Sequence, residues 1–267
     1  MDKILIICVN YNSYSELLKY LNSINESAKC CNNIDVNVII ADNSSKMKHI
    51  DLRQYKSIEV SLLNLNNKGY FGAAQAVMQS IEDLSIYDYV AISNVDLLLK
   101  DDFLTQLSNL YVDKDIAWLA PKIWSNKEYR DRNPKIINRY SKRRLRLINM
   151  MYKFPILDYL YTNTIYSHKA KYKDHSECDV YAGHGSFILL TQTFFKHYSQ
   201  IEYPIFLFGE ELYLAELIMR AGLRVHYSPK LVVYDMEHIS TGKMKKSFYY
   251  KCNKESIDYI LKTFYNE

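Results

Sequence analysis

Apolar residues along the chain fall into short unbroken runs, each closed by a polar break. Lys3 to Val9 is such a run and ends in Asn10-Tyr11-Asn12-Ser13. It predicts a strand buried on both faces, a polar loop, and a helix cap at Asn12 or Ser13. Leu17, Leu18, Leu21 and Ile24 then recur at helical spacing. Val36 to Ala41 predicts a second strand that stops at Asp42-Asn43-Ser44-Ser45. Val60 to Leu65 predicts a third that stops at Asn66-Asn67-Lys68-Gly69, ahead of a helix carrying Ala73, Ala74, Ala76, Val77, Met78 and Ile81. The fourth is Tyr89-Val90-Ala91-Ile92, followed by Ser93-Asn94-Val95-Asp96 and a helix from about Asp101 to Leu110.

Four strand, break and helix-or-loop units in the first 110 residues or so are the signature of a parallel sheet built from βαβ units. With right-handed crossovers, Asn10, Asp42, Asn67 and Asp96 become neighbours on one rim of the sheet. That carboxyl-end rim is where open α/β sheets bind ligands. Taken alone, Asn94 and Asp96 fit two readings: an Asx-type turn, or a carboxylate that holds a metal ion against a nucleotide diphosphate.

The pattern changes between Lys122 and Arg146, where ten Lys and Arg residues face only Glu128 and Asp131, an excess of eight against +4 for the whole chain. Apolar and aromatic residues follow, from Leu147 to Tyr161. Such a stretch fits a helix or helical hairpin at an anionic membrane surface, and equally a solvated basic loop with a core helix. No nucleic-acid module accompanies it. Beyond it, Val180 to Leu190 predicts a strand-like segment containing Gly183-His184-Gly185-Ser186, then a helix from Thr191. Phe206-Leu207-Phe208-Gly209-Glu210-Glu211 leads into a helix closed by Gly222. Arg224 to Tyr227 and Leu231 to Tyr234 predict short strands, and the tail from about Lys243 predicts a helix.

Composition narrows the classes. A chain of 267 residues with 48% hydrophobic and 24% charged content suits one large α/β domain. Its 25 tyrosines are an excess that suits amphipathic or sugar-stacking surfaces. Five cysteines without a C-x-x-C pair suggest neither a disulfide framework nor a zinc site, and fit a reducing cytosol. The first apolar run is too short for a signal peptide, and no run approaches the ~20 apolar residues of a membrane-spanning helix.

Seven segments in order resemble the family 2 glycosyltransferases of GT-A fold, and among them the rhamnosyltransferase-like enzymes of bacterial polysaccharide synthesis. They are Val9-Asn10-Tyr11-Asn12, Ala41 to Ser45, Asn67 to Ala74, Ser93 to Asp96, Gly183 to Phe187, Glu210 to Leu214, and His238. The resemblance implies an α/β fold with a Rossmann-like, mostly parallel central sheet and helices on both faces. It also implies metal-dependent, inverting sugar transfer from a UDP- or dTDP-type nucleoside-diphosphate sugar to a glycan acceptor, a polyprenyl-diphosphate-linked one among the candidates. The expected organisation is a single domain: a nucleotide-binding half over 1–121, the basic-aromatic insertion over 122–175, an acceptor and catalytic half over 176–242, and a C-terminal helix over 243–267.

The implied site follows residue by residue. Asn10, Tyr11 and Asn12 border the base and ribose, and Asp42 accepts from a base N–H. Asn67, Gly69 and Gly72 let a loop and a helix N-terminus approach the diphosphate. Asn94 and Asp96 stand at the two acidic positions of the family's DXD motif, with asparagine at the first. Asp96 and His238 would hold Mn²⁺ or Mg²⁺, hard cations suited to carboxylate and phosphate oxygens. Glu211, paired with Glu210, is the expected base that takes the acceptor hydroxyl's proton. Gly183, His184 and Gly185 form the acceptor side. Departures from the family pattern are Glu211 for its usual Asp, Gln75 near its usual Asn, and Val95 for its usual proline. The expected setting is cytoplasmic, peripheral on the cytosolic membrane face through residues 122–160. Rival readings are a nucleotidyltransferase, a dehydrogenase, which would want G-x-G-x-x-G after the first strand, and a non-catalytic glycan- or membrane-binding homologue.

Overall fold

The structure is a computed structural model that describes residues 1–164, 174–236 and 244–265, with side chains of 160–164 left aside. Five strands open the chain: β1 (Asp2–Asn10), β2 (Ile34–Asp42), β3 (Glu59–Asn64), β4 (Tyr89–Asn94) and β5 (Leu97–Leu99). Between them lie the helices α1 (Tyr14–Lys29) and α2 (Tyr70–Gln79). Next come α3 (Phe103–Ser108), β6 (Ile116–Ser125), β7 (Arg130–Asp131), α4 (Lys142–Lys153) and α5 (Pro155–Thr164). The chain continues through β8 (Cys178–Val180), β9 (Phe187–Thr191), α6 (Gln192–His197), α7 (Glu210–Arg220), β10 (Arg224–Asp235) and α8 (Lys246–Phe264).

The strands make one sheet in the order β3-β2-β1-β4-β9-β6-β10-β5, with β7 on β6 and β8 on β10. β1, β2, β3 and β4 pair in parallel, as do β6 and β10; β9 runs antiparallel between β4 and β6. Six strands therefore end at one rim, and β9 begins there. Alternation along β1 sends Leu5 and Ile7 to one apolar layer and Ile4 and Ile6 to the other. The first layer holds α2, α6, α7 and α8; the second holds α1 and α3. β1 is buried on both faces because helices cover both, which is why its sequence reads as an unbroken apolar run.

Several boundaries differ from the sequence pattern. The expected strand from Val180 to Leu190 is two strands, because the Tyr181–Ser186 segment leaves the sheet to line the rim. Arg224 to Tyr234 is one strand, β10, whose register shifts between Ser228 and Val232. β6 and β7 run through residues 116–131, so the first part of the basic stretch is sheet. Part of its charge is paired within the fold. Arg139 makes a two-pronged ion pair with the fully buried Glu216 at 2.8 and 2.9 Å, while Arg132 pairs with Asp235 at 2.7 Å and Arg130 pairs with Glu128. Glu216 is buried while Arg139 stays partly exposed, so the pair ties the segment leading to α4 onto α7 with one charge desolvated and the other screened by water. Among the described residues no helix is long and apolar enough to cross a membrane.

Candidate active site

The rim is assembled by sheet register. Asn10 lies opposite Asp42, Asp42 opposite Asn64, and Val9 opposite Asn94. Asp42 is a buried hub: Oδ1 accepts from Asn10 Nδ2 at 3.0 Å and from the Ser44 N–H at 3.0 Å, and Oδ2 accepts from the Tyr14 hydroxyl at 2.7 Å. Three of its four lone-pair directions are occupied, leaving one for a ligand. Asn10 is fully buried and acts as a brace for Asp42, whereas Tyr11 keeps 48% of its surface exposed at the loop. Asn12 adopts φ of +56° and its N–H donates to Ser44 Oγ at 2.8 Å, tying the two loops together.

Asn67 accepts from the Gly69 N–H at 3.1 Å and shapes the turn before α2. Asn43 completes that turn, donating to the Gly69 carbonyl at 2.7 Å and accepting from the Lys68 N–H at 3.2 Å. Gly69 has φ of +78°, and a Cβ there would stand 1.8 Å from the Phe206 carbonyl oxygen. Its glycine is thus required by the 206–208 loop. Gly72 sits in the first turn of α2, where a Cβ would meet nothing closer than 3.4 Å. The helix N-terminus beneath both favours negative charge.

Asp96 lies where β4 gives way to β5, and its carbonyl accepts from the Met236 N–H at 3.0 Å. Met236, just past the end of β10, is thereby fixed at Asp96, two residues before His238, which lies outside the described residues. Asn94 N–H donates to the Ser186 carbonyl at 2.9 Å, docking the Gly183–Ser186 loop on β4. Gly183 is required by packing, its absent Cβ being 2.8 Å from Ala120. The His184 Nδ1 accepts from the Ser186 N–H at 3.2 Å, so the ring proton sits on Nε2. Burial and the nearby Lys135, Arg132 and Arg130 hold this imidazole well below the usual histidine range, in its neutral form.

Gly185 carries the acidic pair: a Cβ there would be 2.8 Å from Glu210 Oε1 and 3.3 Å from Glu211 Oε2. Both carboxylates open α7, behind Gly209 with φ of +81° and Phe208 with φ of +69°. A bulky residue in the left-handed region costs on the order of 1–3 kcal/mol, and such strain collects at functional sites. Glu210 is buried and its Oε2 has no hydrogen-bond partner. Burial, then the charge of Glu211, push the Glu210 carboxyl up to about 8. Tyr70 ties the parts together: its hydroxyl donates to the Gly185 carbonyl at 2.8 Å, and burial, then the charge of Glu210, push its phenol well above the usual tyrosine range. Asn43 and Tyr70, inside the Ala41–Ser45 and Asn67–Ala74 segments but without a role expected of either, and Asn133, whose Oδ1 accepts from the His184 N–H at 2.8 Å, shape the site.

Among the described residues no three His, Cys, Asp or Glu side chains are close enough to hold a metal ion by themselves. The donor set still fits a hard divalent cation. Mg²⁺ and related ions are commonly bound through one or two carboxylates plus water and substrate phosphates, and Asp96, at the junction of β4 and β5, would supply one such carboxylate.

A mostly parallel sheet with a polar, carboxylate-lined rim is the arrangement in which open α/β folds take ligands at the strand ends. The chain belongs to glycosyl transferase family 2, whose sequence profile matches residues 5–173. The fold is GT-A. It is similar to GalNAc-T7 solved with UDP, GalNAc and Mn²⁺, with a TM-score of 0.62 at 11% identity over 99% of this chain and 49% of that one. It is also similar to S. aureus TarS residues 1–349 in complex with UDP-GlcNAc (TM-score 0.59, 11% identity, 99% of this chain and 68% of that one). A third is the mannosyltransferase PcManGT from Pyrobaculum calidifontis in complex with GDP-Man and Mn²⁺ (TM-score 0.54, 12% identity, 89% and 58%). Against a longer TarS chain, this chain spans 36% of the length. No curated protein matches the chain by sequence.

Proposed function

We propose that this chain is a metal-dependent, inverting glycosyltransferase that moves a sugar from a UDP- or dTDP-type donor to a lipid-linked glycan in bacterial surface polysaccharide synthesis. The observation that carries the reading is the seating of Glu210 and Glu211 against Gly185, whose carbonyl accepts from the Tyr70 hydroxyl at 2.8 Å. Asp42, through its remaining lone pair, and Tyr11 would meet the base, with Asn12 at the ribose. Asn67, Gly69, Gly72 and Asn94 would border the diphosphate. Asp96 would hold Mn²⁺ or Mg²⁺, with His238 as a second ligand. When bound, the cation supplies Lewis-acid neutralisation of the leaving diphosphate.

Glu211 then takes the acceptor hydroxyl's proton. The buried Glu210 holds its own proton to about pH 8, so the pair does not place two bare charges at one spot. The neutral His184 offers Nε2–H to a sugar hydroxyl from the acceptor side, next to Gly183 and Gly185. A membrane dock is supported by α4 and α5, which expose Leu147, Met150, Phe154, Ile156 and Tyr159 near Lys142, Arg143 and Arg146. Liposome flotation with and without anionic lipid should show charge-dependent binding, and no binding to either would remove the dock.

Release of nucleoside diphosphate from UDP-, dTDP- and GDP-sugars with Mn²⁺ or Mg²⁺ tests the reaction. Asp96→Asn and Glu211→Gln should each abolish it. Unchanged release in Glu211→Gln with loss in Glu210→Gln would move the base to Glu210. No release from any donor would favour the non-catalytic homologue.

A further inference from the structure

The mechanism above uses neither α4 nor α8, yet the structure brings both to the mouth of the site. α4 packs along α8, where Asn149 Nδ2 donates to Asp258 Oδ1 at 2.6 Å. That contact sets Tyr152 edge-on to Tyr249, with ring centroids 6.2 Å apart. Tyr249 in turn meets Phe208 at 5.3 Å, again edge-on. Phe208 stands three residues before Glu211, in the segment that leads into α7. Three rings, from α4, α8 and the segment that leads into α7, thus gather beside the start of the helix that carries the acidic pair.

Two observations separate this cluster from core packing. Tyr249 keeps 38% of its surface exposed, while Tyr203 and Tyr213, in the next aromatic layer down, keep 3% and 6%. Phe208 is also held in the left-handed region, pinned by the Tyr203 hydroxyl donating to its carbonyl at 2.7 Å. The fold retains an unfavourable backbone where it presents a ring beside the catalytic helix.

We infer that Phe208, Tyr152 and Tyr249 form an acceptor subsite that takes a neutral sugar ring by its C–H face, beside Glu211. The face of an aromatic ring is electron-rich and attracts weakly positive C–H groups. The phenol hydroxyls of the two tyrosines add donors and acceptors that a sugar's hydroxyl groups can use. The assignment rests on the transferase reading and on Glu211 as its base. It gives the basic-aromatic insertion and the C-terminal helix a shared task in choosing the acceptor.

Saturation-transfer NMR on the full chain reads the subsite without turnover, using methyl glycosides of glucose, galactose, rhamnose and N-acetylglucosamine as probes. At least one should receive saturation on its ring C–H protons. Tyr249→Ala should cut that signal at least fivefold, and Tyr249→Phe should keep it within twofold. Tyr111→Ala, which removes an exposed ring at the opposite rim, should leave it unchanged. If Tyr249→Ala unfolds, Tyr152→Leu takes its place with the same expectation. Equal signals in the wild type and the folded ring-removal variant, no signal from any glycoside, or a ring-dependent response to farnesol alone would overturn the subsite. Absent nucleoside-diphosphate release with these signals intact would sink the transferase reading instead, since saturation transfer needs neither Asp96 nor a working base.

Discussion

Gly185 and Glu210 approach so closely that a Cβ on the glycine would lie 2.8 Å from the glutamate's Oε1. The glycine loop and the acidic pair are therefore one mechanical unit, built from segments 25 residues apart in the chain. Gly185→Ala should push the pair off its position. Donor turnover is expected to fall more than tenfold, with a stability loss of about 1–3 kcal/mol from overpacking. Parallel kinetics and thermal melts check this; full activity in Gly185→Ala would separate the loop from the chemistry.

Asp42 holds the other end of the rim through Asn10, Ser44 and Tyr14. Hydrogen bonds to a charged group contribute roughly 1.5–3 kcal/mol each, and an asparagine would turn an NH₂ toward one of the donors. Asp42→Asn should cost about 2–4 kcal/mol in urea unfolding, and Tyr14→Phe about 1–2 kcal/mol. Stabilisation of the protein by UDP should also shrink in Asp42→Asn, because mass-action stabilisation scales with affinity.

The buried Glu210 carboxyl has a folded-state value raised to about 8 from an ordinary 4.5. Between those values the folded state binds more protons than the unfolded one, so stability is greatest at low pH and declines as pH rises toward 8. Metal-free melting curves from pH 5 to 8 should show the wild type losing Tm relative to Glu210→Gln. Parallel curves for the two proteins would refute a protonated Glu210.

Gly69 and Gly72 are three residues apart but predict opposite outcomes. Gly69→Ala must fit a Cβ 1.8 Å from a carbonyl oxygen at positive φ and should cost about 3 kcal/mol or more. Gly72→Ala makes only an ordinary contact with the Lys68 Cβ at 3.4 Å inside a helix and should stabilise by about 0.5–1 kcal/mol. A Gly72→Ala protein that melts higher yet turns over donor more slowly would place that residue against the diphosphate.

The first four strands, the rim after them and the acidic opening of α7 were legible in the sequence, because burial on both faces writes an unbroken apolar run and each run ends in polar residues. β6 was not: Lys122 within it and the basic residues beyond it mask a strand that burial against β9 and β10 stabilises. The excess of basic residues was visible, but not that Arg132 and Arg139 are consumed by Asp235 and Glu216, partners 103 and 77 residues away.

Sequence alone determined which residues have the chemistry for the site: Asp42, Asp96, Glu210, Glu211 and the glycines among them. Tertiary structure decided what each one faces. Asp42 and Asn10 point into one another, Gly69 yields to Phe206, Gly185 seats the acidic pair, and Phe208 turns its ring to Tyr249. Local periodicity reports burial, which is a property of each segment by itself. Orientation and proximity depend on crossovers and long-range packing, which no short window of sequence contains.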